Sequence, residues 1–548
     1  MGGSEAGART PQGSARRARG AALLLAVGVA LAGAGIGAFL HLPALRHPAI
    51  FKSDIVQSPH WAAYHASTFR ADDLVLRYAS FNESPLQNAI YWVATWFAGS
   101  VTLSELLGVA SYGVLSLTFF LLGRAMYGVR FGLLAALFIA CFPDQWEFSA
   151  GFFSKFWAIP LLLVCVWLLH TGRTRGLIGL LPFAALAYPT AAVLAGLTAS
   201  VHWIGECARR RPGAAPLFRA LAVGGALAAA VLAVKYASPD ESIGPMRPRS
   251  ELMQMSELGI DGYPGRYVPV PALHQELLRA IDHPFVLFSS MLYLLVLGRA
   301  GVGWERSWTA LFLASAIGYL LADLFFLRLY IPNRYTRYSM AVLLALWNAR
   351  NCDLILARVK LPAMRIALVA ALVAVAGLSY GVERDNVADA RAVAGVCRFI
   401  DDELPAGVLV AGAPRALDNV MVLARRSVLA PYKLAHPWFT RYYDEMRERT
   451  RATLRAHFAA DAQPLNELHR RWGATHFLAD RRHFELARRN ERVFADPYND
   501  EVYRELGLRR TFYLSSPPAA EVVWQDPRFV LVRLPIPATA DTGRPPAP

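Results

Sequence analysis

A multi-pass α-helical membrane protein with a small C-terminal α/β domain is the fold class that this sequence predicts. Three observations carry that expectation. The chain of 548 residues is 55% hydrophobic and only 18% charged, with mean hydropathy +0.31, against about 25% charged in an ordinary soluble protein. The apolar residues fall in blocks of about 17–25, the length that crosses about 30 Å of hydrocarbon as a helix. After residue 382 the blocks stop and the pattern turns polar and mixed.

Residues 1–20 are small, polar and basic (Arg9, Arg16, Arg17, Arg19) and read as a cytoplasmic N-terminal tail. The block 21–42 is too long for the hydrophobic stretch of a signal peptide and reads as the first membrane helix. Residues 43–103 form a large first outside loop, with an amphipathic, partly interfacial stretch at 90–97. Further blocks lie at 104–122, 130–143, 156–170, 175–188, 190–206 and 217–235; a second large outside loop spans 236–282; blocks at 284–298, 308–328, 338–349 and 364–382 complete about eleven helices. An odd number places the two chain ends on opposite sides. Loop charge agrees, because the intervening loops on the N-terminal side hold Arg124 and Arg130, Arg173 and Arg175, Arg209, Arg210 and Arg211, Arg299 and Arg306, and the group Arg350, Arg358, Lys360 and Arg365, as the positive-inside rule requires. The loop 329–337 is the exception, since it carries Arg334 and Arg337 on the outside.

Residues 383–537 read as an extracytoplasmic α/β domain, because strand patterns alternate with helical ones. A helix at 389–403, a buried strand GVLVAG at 407–412, helices at 438–458 and 465–472, a strand ATHFLAD at 474–480 and a hairpin across Asp526-Pro527 are expected. The Pro/Ala-rich residues 538–548 read as a disordered tail.

The net charge of +15 is accounted for by loop arginines, and no basic stripe interleaved with stacking aromatics marks a nucleic-acid surface. Of the five cysteines only Cys397 falls in the C-terminal domain, so that domain has no internal disulfide. No Cys/His cluster suggests structural zinc, and Walker A, GxGxxG and GxSxG signatures are missing.

Candidate chemistry gathers in the outside segments. Asp54 follows the first helix by about a dozen residues, with His60, Trp61, Tyr64 and His65 at helical spacing and Asp72-Asp73 beyond. A carboxylate at a membrane boundary suits a general base for an acceptor hydroxyl, or a ligand for a divalent metal that neutralises a leaving phosphate. The competing reading is a solvated loop with interfacial aromatics. The segment PDQWEFSAGFFSKFW (143–157) adds Asp144, Glu147 and Lys155; the lysine begins a helix, where anions are favoured, or else snorkels. In FLRLYIPNRYTRYSM (326–340), Arg328, Arg334 and Arg337 alternate with Tyr330, Tyr335 and Tyr338, a pattern for bidentate phosphate recognition at head-group depth or for interfacial anchoring. The aromatic stretch 429–451, with His436, Tyr442, Tyr443, Asp444 and Glu445, caps the site, binds an acceptor or packs as an amphipathic helix. Asp323 falls within an expected membrane helix.

Taken together, the layout resembles the GT-C superfamily of membrane glycosyltransferases, which use polyprenyl-phosphate-linked sugars. The resemblance rests on the large first outside loop with an acidic residue soon after the first helix, the helix number, the C-terminal extracytoplasmic domain and the segment YIPNRYTR. It implies a bacterial cytoplasmic (inner) membrane enzyme that moves a sugar from a lipid-linked donor to a cell-envelope glycan, lipid or protein acceptor. Residue by residue, it implies Asp54 and Asp144 as catalytic acids, with Glu147 as the alternative, and Arg334, Arg337 and Lys155 as donor-phosphate contacts. His60, Tyr64, Asp72, Asp73 and Tyr335 are further candidates for substrate contact or for the acid. The cofactor left open is a divalent metal, Mg or Mn, on Asp54 and Asp144. The family often shows an acidic pair in the first loop, whereas Asp54 is isolated in SDIVQ and the pair Asp72-Asp73 comes later, which leaves open the carboxylate that serves as base. Two other functions fit the same layout: a transporter or flippase for a lipid-linked or polar solute, and a non-catalytic assembly protein of a polysaccharide pathway.

Overall fold

The structure is a computed structural model and describes residues 11–142, 148–236, 240–252, 254–255, 305–325, 328–329, 331–379, 387–485, 497–498, 500–502, 504 and 511–535. Its first part is a helical bundle: α1 Pro11–Leu40, α2 Ser100–Tyr127, α3 Val129–Ala140, α4 Ala158–His170, α5 Leu177–Ala187, α6 Pro189–Ala208, α7 Ala214–Tyr236, α8 Arg306–Leu324, α9 Asn333–Arg358 and α10 Pro362–Ser379. Six helices among the described residues are long and apolar enough to cross a membrane, and four shorter apolar helices accompany them. The block expected at 284–298 lies outside the described residues. Two boundaries differ from expectation. Helix α1 begins at Pro11, so the second half of the basic tail is already helical, consistent with its Ala- and Arg-rich composition. Helix α9 begins at Asn333, so Arg334 and Arg337 occupy its first turns and are not in a loop.

Close helix contacts depend on small residues, as is usual where lipid removes the hydrophobic contrast between helices. A Cβ on Gly33 of α1 would stand 2.4 Å from the Ser116 hydroxyl of α2, and one on Gly113 would stand 2.8 Å from the Ala30 carbonyl. These two helices therefore meet almost backbone to backbone.

Contacts sort the helix ends into two sets. At one end, Arg130 donates to Asp353 at 2.5 Å, Arg350 lies 4.4 Å over the Tyr127 ring, His170 faces Glu305 at 3.7 Å and Arg306 reaches Glu206 at 3.3 Å. At the other, Lys155 meets Asp54 at 2.8 Å, Lys235 donates to the Glu83 carbonyl at 2.6 Å, Tyr188 and Tyr338 share a hydrogen bond of 3.0 Å, and Arg249 faces Asp323 at 3.6 Å. The first set is drawn mainly from segments expected inside; the second combines segments expected outside with Tyr188, Asp323 and Tyr338, which were expected within membrane blocks.

The C-terminal domain is built on a five-stranded sheet in the order β4-β3-β5-β7-β6: β3 Leu409–Gly412, β4 Ser427–Val428, β5 His476–Asp480, β6 Val522–Gln525 and β7 Phe529–Arg533. Strands β3, β4 and β5 are parallel, and β7 and β6 continue antiparallel. Helices α11 Arg391–Glu403, α12 Thr440–His457 and α13 Gln463–Trp472 pack around it. The β6–β7 turn is fixed by the Asp526 carboxylate, which accepts from the backbone N–H of Arg528 at 2.7 Å and Phe529 at 2.5 Å.

The domain is joined to the first outside loop in two ways. Strand β1 Ile50–Lys52 pairs antiparallel with β2 Val387–Asp389, just before α11. A single hydrophobic core then runs from Phe51, Ile55, Trp61 and Tyr78 of the loop to Val396, Leu417, Met421 and Tyr442 of the domain. Tyr78 stacks on Tyr442 with ring centroids 3.7 Å apart and bonds the His436 ring at 2.9 Å. Loop and domain therefore share one apolar core.

A carboxylate ringed by lysines

The expectation of an acidic residue beyond the first helix meets a definite geometry. Chain reversal after α1 uses the short helix Leu42–Arg46, then β1, then one 3₁₀ turn, Ser53–Gln57, that presents Asp54. The Asp54 side chain keeps 22% exposure. Its Oδ2 accepts from Lys155 Nζ at 2.8 Å, and its Oδ1 accepts from Gln57 Nε2 at 3.0 Å and faces Lys433 Nζ at 3.6 Å. Burial alone would push this carboxyl upward, but Lys155, Lys52 and Lys433 together hold it well below the usual carboxylate range. Asp54 is therefore ionised at any physiological pH.

Each lysine comes from a different part of the chain. Lys155 follows a turn in which Gly151 and Phe152 both take positive φ, 79° and 48°. For a phenylalanine this conformation costs about 1–2 kcal/mol, and surrounding bonds fix it. Tyr91 donates to the Gly151 carbonyl at 3.0 Å, Ser111 to the Ser149 carbonyl at 3.1 Å, and Gln87 to the Phe152 carbonyl. Phe153 then stacks near Trp61 at 5.6 Å, and Lys155 lies 5.8 Å over the Phe153 ring. Lys52 is buried in β1; its backbone N–H donates to Glu105 Oε1 at 2.9 Å, while Glu105 Oε2 is hydrogen-bonded to His41 Nδ1. Gly108, one turn further along α2, permits this arrangement, since a Cβ there would stand 2.7 Å from the His41 ring and 3.1 Å from the Gly151 nitrogen. Lys433 belongs to the C-terminal domain; its backbone N–H donates to Asp418 at 3.0 Å and its ammonium donates to the Ser53 hydroxyl at 3.3 Å.

The remaining candidates separate into neighbours and structural residues. His60 is buried, its Nε2 bonded to the Asn88 side-chain oxygen at 2.8 Å, and burial lowers its pKa to about 4, so the ring is neutral. Tyr64 packs edge-on to His60 at 5.7 Å, and burial, with Glu83 nearby, raises its pKa above the ordinary phenol value. Asp72 is exposed and paired bidentately with Arg70 at 3.1 and 3.2 Å. Asp73 caps the helix Leu74–Asn82 by accepting from the N–H of Val75 at 2.8 Å and of Leu76 at 3.1 Å. The acidic pair of the first loop is thus a surface ion pair and a helix cap, and the lysine-bound carboxylate is Asp54. Tyr335 is buried in the bundle and donates to the Leu329 carbonyl at 2.8 Å.

Arg337 lies 5.6 Å over the Phe148 ring. Arg334, three residues earlier, shares its helix face. Phe148 and Lys155 are seven residues apart, which caps the separation of the Arg337 and Asp54 neighbourhoods along that segment at about 25 Å even if fully extended. Asp144, Glu147 and Tyr330 lie outside the described residues. Of the two residues expected to hold a metal, Asp54 has ammonium groups facing both oxygens and Asp144 lies outside the described residues.

Lys52, Lys433, His41 and Glu105 were not legible as site residues. Lys433 meets Asp54 only through the tertiary fold. Glu105 alone carried a signal, as an acidic residue within a predicted apolar helix.

No protein-family model matches the sequence, and no curated protein matches it. Among solved structures, the chain is similar to the oligosaccharyltransferase of Archaeoglobus fulgidus in its apo form, with 11% identity, TM-score 0.49, and 88% of this chain and 72% of that chain covered. It is also similar to the same enzyme in complex with Zn and sulfate, with 11% identity, TM-score 0.43, and 85% and 70% covered.

Proposed function

We propose that this chain is a bacterial GT-C-type membrane glycosyltransferase that transfers a sugar from a polyprenyl-phosphate donor to a cell-envelope acceptor at the outer face of the cytoplasmic membrane. The observation that carries the reading is Asp54: an ionised carboxylate on the 3₁₀ turn beyond the first membrane helix, gripped by Lys155 at 2.8 Å, at the same end of the bundle as Arg334 and Arg337.

In this reading the N-terminus is cytoplasmic and the C-terminal domain extracytoplasmic. The acceptor hydroxyl attacks the anomeric carbon with inversion. Its proton passes to Asp54, the anomeric C–O bond to phosphate breaks, and the lipid phosphate departs with the electron pair. Arg334 and Arg337, in the first turns of α9, supply fixed positive charge for that phosphate, where the helix N-terminus also favours anions. No step is routed through a metal.

The test is release of lipid phosphate by the purified protein supplied with polyprenyl-phosphate sugars. Release by wild type and its loss in Asp54→Asn and Arg334→Ala is the expected result. Absence of release with every donor, together with solute flux in sealed vesicles, would replace this reading with that of a transporter.

A further inference from the structure

We propose that the helix Pro85–Ala94 and the turn after it form a bilayer-docking surface, with Ala89, Trp92, Val93, Trp96 and Phe97 resting in the interfacial layer of the leaflet on the Asp54 side of the membrane. The surface requires only that the long apolar helices span a bilayer, so it stands whether or not the chain transfers sugar.

The helix is turned inside out for a loop in water. Its polar side chains point inward and are used by the protein. Gln87 donates to the Phe152 carbonyl and accepts from Trp157 Nε1 at 3.2 Å, Asn88 accepts from Trp61 Nε1 at 3.2 Å, and Tyr91 donates to the Gly151 carbonyl at 3.0 Å. Its apolar side chains point outward. Trp92 and Val93 are each 52% exposed, Trp96 65% and Phe97 84%. With the exposed Ala89 they fall at i, i+3, i+4, i+7 and i+8, one stripe of a helix. From Pro85 to Ser104 the chain carries no Lys, Arg, Asp or Glu. An exposed apolar stripe of this kind marks an interaction surface, and tryptophan settles at the membrane–water boundary. His65 steadies one edge, with its ring on Trp96 at 3.9 Å and its Nε2 donating to the Trp92 carbonyl at 2.9 Å.

Neighbouring contacts set the helix at boundary depth. Phe97 lies just before Ser100, where the α2 span begins. Lys235, next to the last residue of the α7 span, donates to the Glu83 carbonyl at 2.6 Å. Trp157, which bonds Gln87, leads directly into α4 and meets Phe183 of α5 edge-on at 5.9 Å. The helix packs on α5, whose Phe183 and Leu186 are themselves exposed, so the outward stripe continues into the apolar flank of the bundle. That continuity, and a stripe that offers a protein partner no charge to pair with, favour lipid as the occupant. The helix also reaches the Asp54 neighbourhood, because its bonds from Tyr91 and Gln87 help to fix the turn before Lys155. Docking therefore sets the depth of the Lys155–Asp54 pair below the head groups.

The experiment uses the full chain in liposomes, with the exposed Cys207 replaced by serine and the buried cysteines retained. An NBD fluorophore is attached at Phe97→Cys and, as a control in water, at Arg470→Cys on the charged, exposed surface of α13. Emission is quenched in turn by aqueous iodide, by phosphatidylcholine with a nitroxide near the head group, and by phosphatidylcholine with a nitroxide deep in the acyl chain. The Phe97→Cys label is expected to be quenched at least threefold more than the control by the shallow nitroxide and at least threefold less by iodide. The result should be the same in phosphatidylcholine alone and with phosphatidylglycerol added. Ala89→Cys, which removes no aromatic side chain, should give the same pattern. Smaller differences overturn the proposal, because the stripe then faces water. Shielding from iodide and from both nitroxides also overturns it, and marks a protein partner or a second copy of the chain. Strongest quenching by the deep nitroxide, or quenching that needs phosphatidylglycerol, likewise refutes a neutral interfacial surface.

Discussion

Replacing Asp54 by asparagine removes the proton acceptor and leaves the side-chain shape almost unchanged. At an effective dielectric of about 20, a unit charge pair at 2.8 Å is worth about 6 kcal/mol and one at 3.6 Å about 5 kcal/mol before desolvation is subtracted. Orphaning a buried partner of an ion pair typically costs about 3–5 kcal/mol. With the Asp54 side chain still 22% exposed, the low end applies, about 3 kcal/mol. Activity should fall further than stability, since a positioned general base contributes about 10²–10⁴ in rate. The assay is lipid-phosphate release per folded molecule, alongside the thermal unfolding midpoint in the same detergent. Asp54→Asn should lower the midpoint by several degrees and lose release by at least a hundredfold. Adding Lys155→Met should recover part of the midpoint, because an uncompensated charge is removed, and recover none of the activity. If Asp54→Asn keeps release within tenfold of wild type, or if the double variant restores it, Asp54 is a structural counter-ion and the mechanism is wrong.

Three further outcomes follow from the same geometry. Asp73→Ala removes a helix cap worth about 1 kcal/mol and should lower the unfolding midpoint with release per folded molecule unchanged, unlike the Asp54 variant. Gly108→Ala places a methyl group 2.7 Å from the His41 ring and should cut release tenfold or more through displacement of the His41–Glu105–Lys52 connection, while membrane insertion, read by alkaline extraction, stays intact. His60 is held at about 4, against 6.5 when solvated. Its lowered pKa means that the stability it contributes is present above pH 6.5 and is lost as pH falls toward 4, at up to about 1.4 kcal/mol per pH unit. The unfolding midpoint should therefore drop more between pH 7 and pH 5 in wild type than in His60→Gln, and parallel curves would refute the assignment.

What could be read from the sequence was what depends on nearby residues. Blocks of apolar residues predicted helices because each needs only its own hydrophobicity to partition into lipid, and the hairpin across Asp526-Pro527 announced itself by its turn chemistry. Asp54 stood out by its distance from the first helix. The pair Asp72-Asp73 could have been recognised as less promising, because an aspartate immediately before LVLRYASFN reads as a helix cap. The lysines around Asp54 could not be found this way. Lys155 shows only a basic residue near a helix start, and Lys433 shows nothing, because their roles come from contacts across the fold. The β1–β2 pair was equally hidden: each strand is three residues long, too short for a period-two pattern, and exists because the other does.

That three-residue pairing has a consequence for biosynthesis. The carboxylate enters the membrane system with the first helix, yet its strand partner and Lys433 are about 330 and 380 residues downstream. At about 5–20 residues per second, the ribosome needs some tens of seconds to deliver them. During that interval the membrane helices can insert while Asp54 stands without Lys433 and without the sheet register that orients it. If the proposed function holds, the chain is silent until the domain that carries Lys433 has folded against the first loop, and a chain cut before residue 387 should insert into the membrane and release no lipid phosphate.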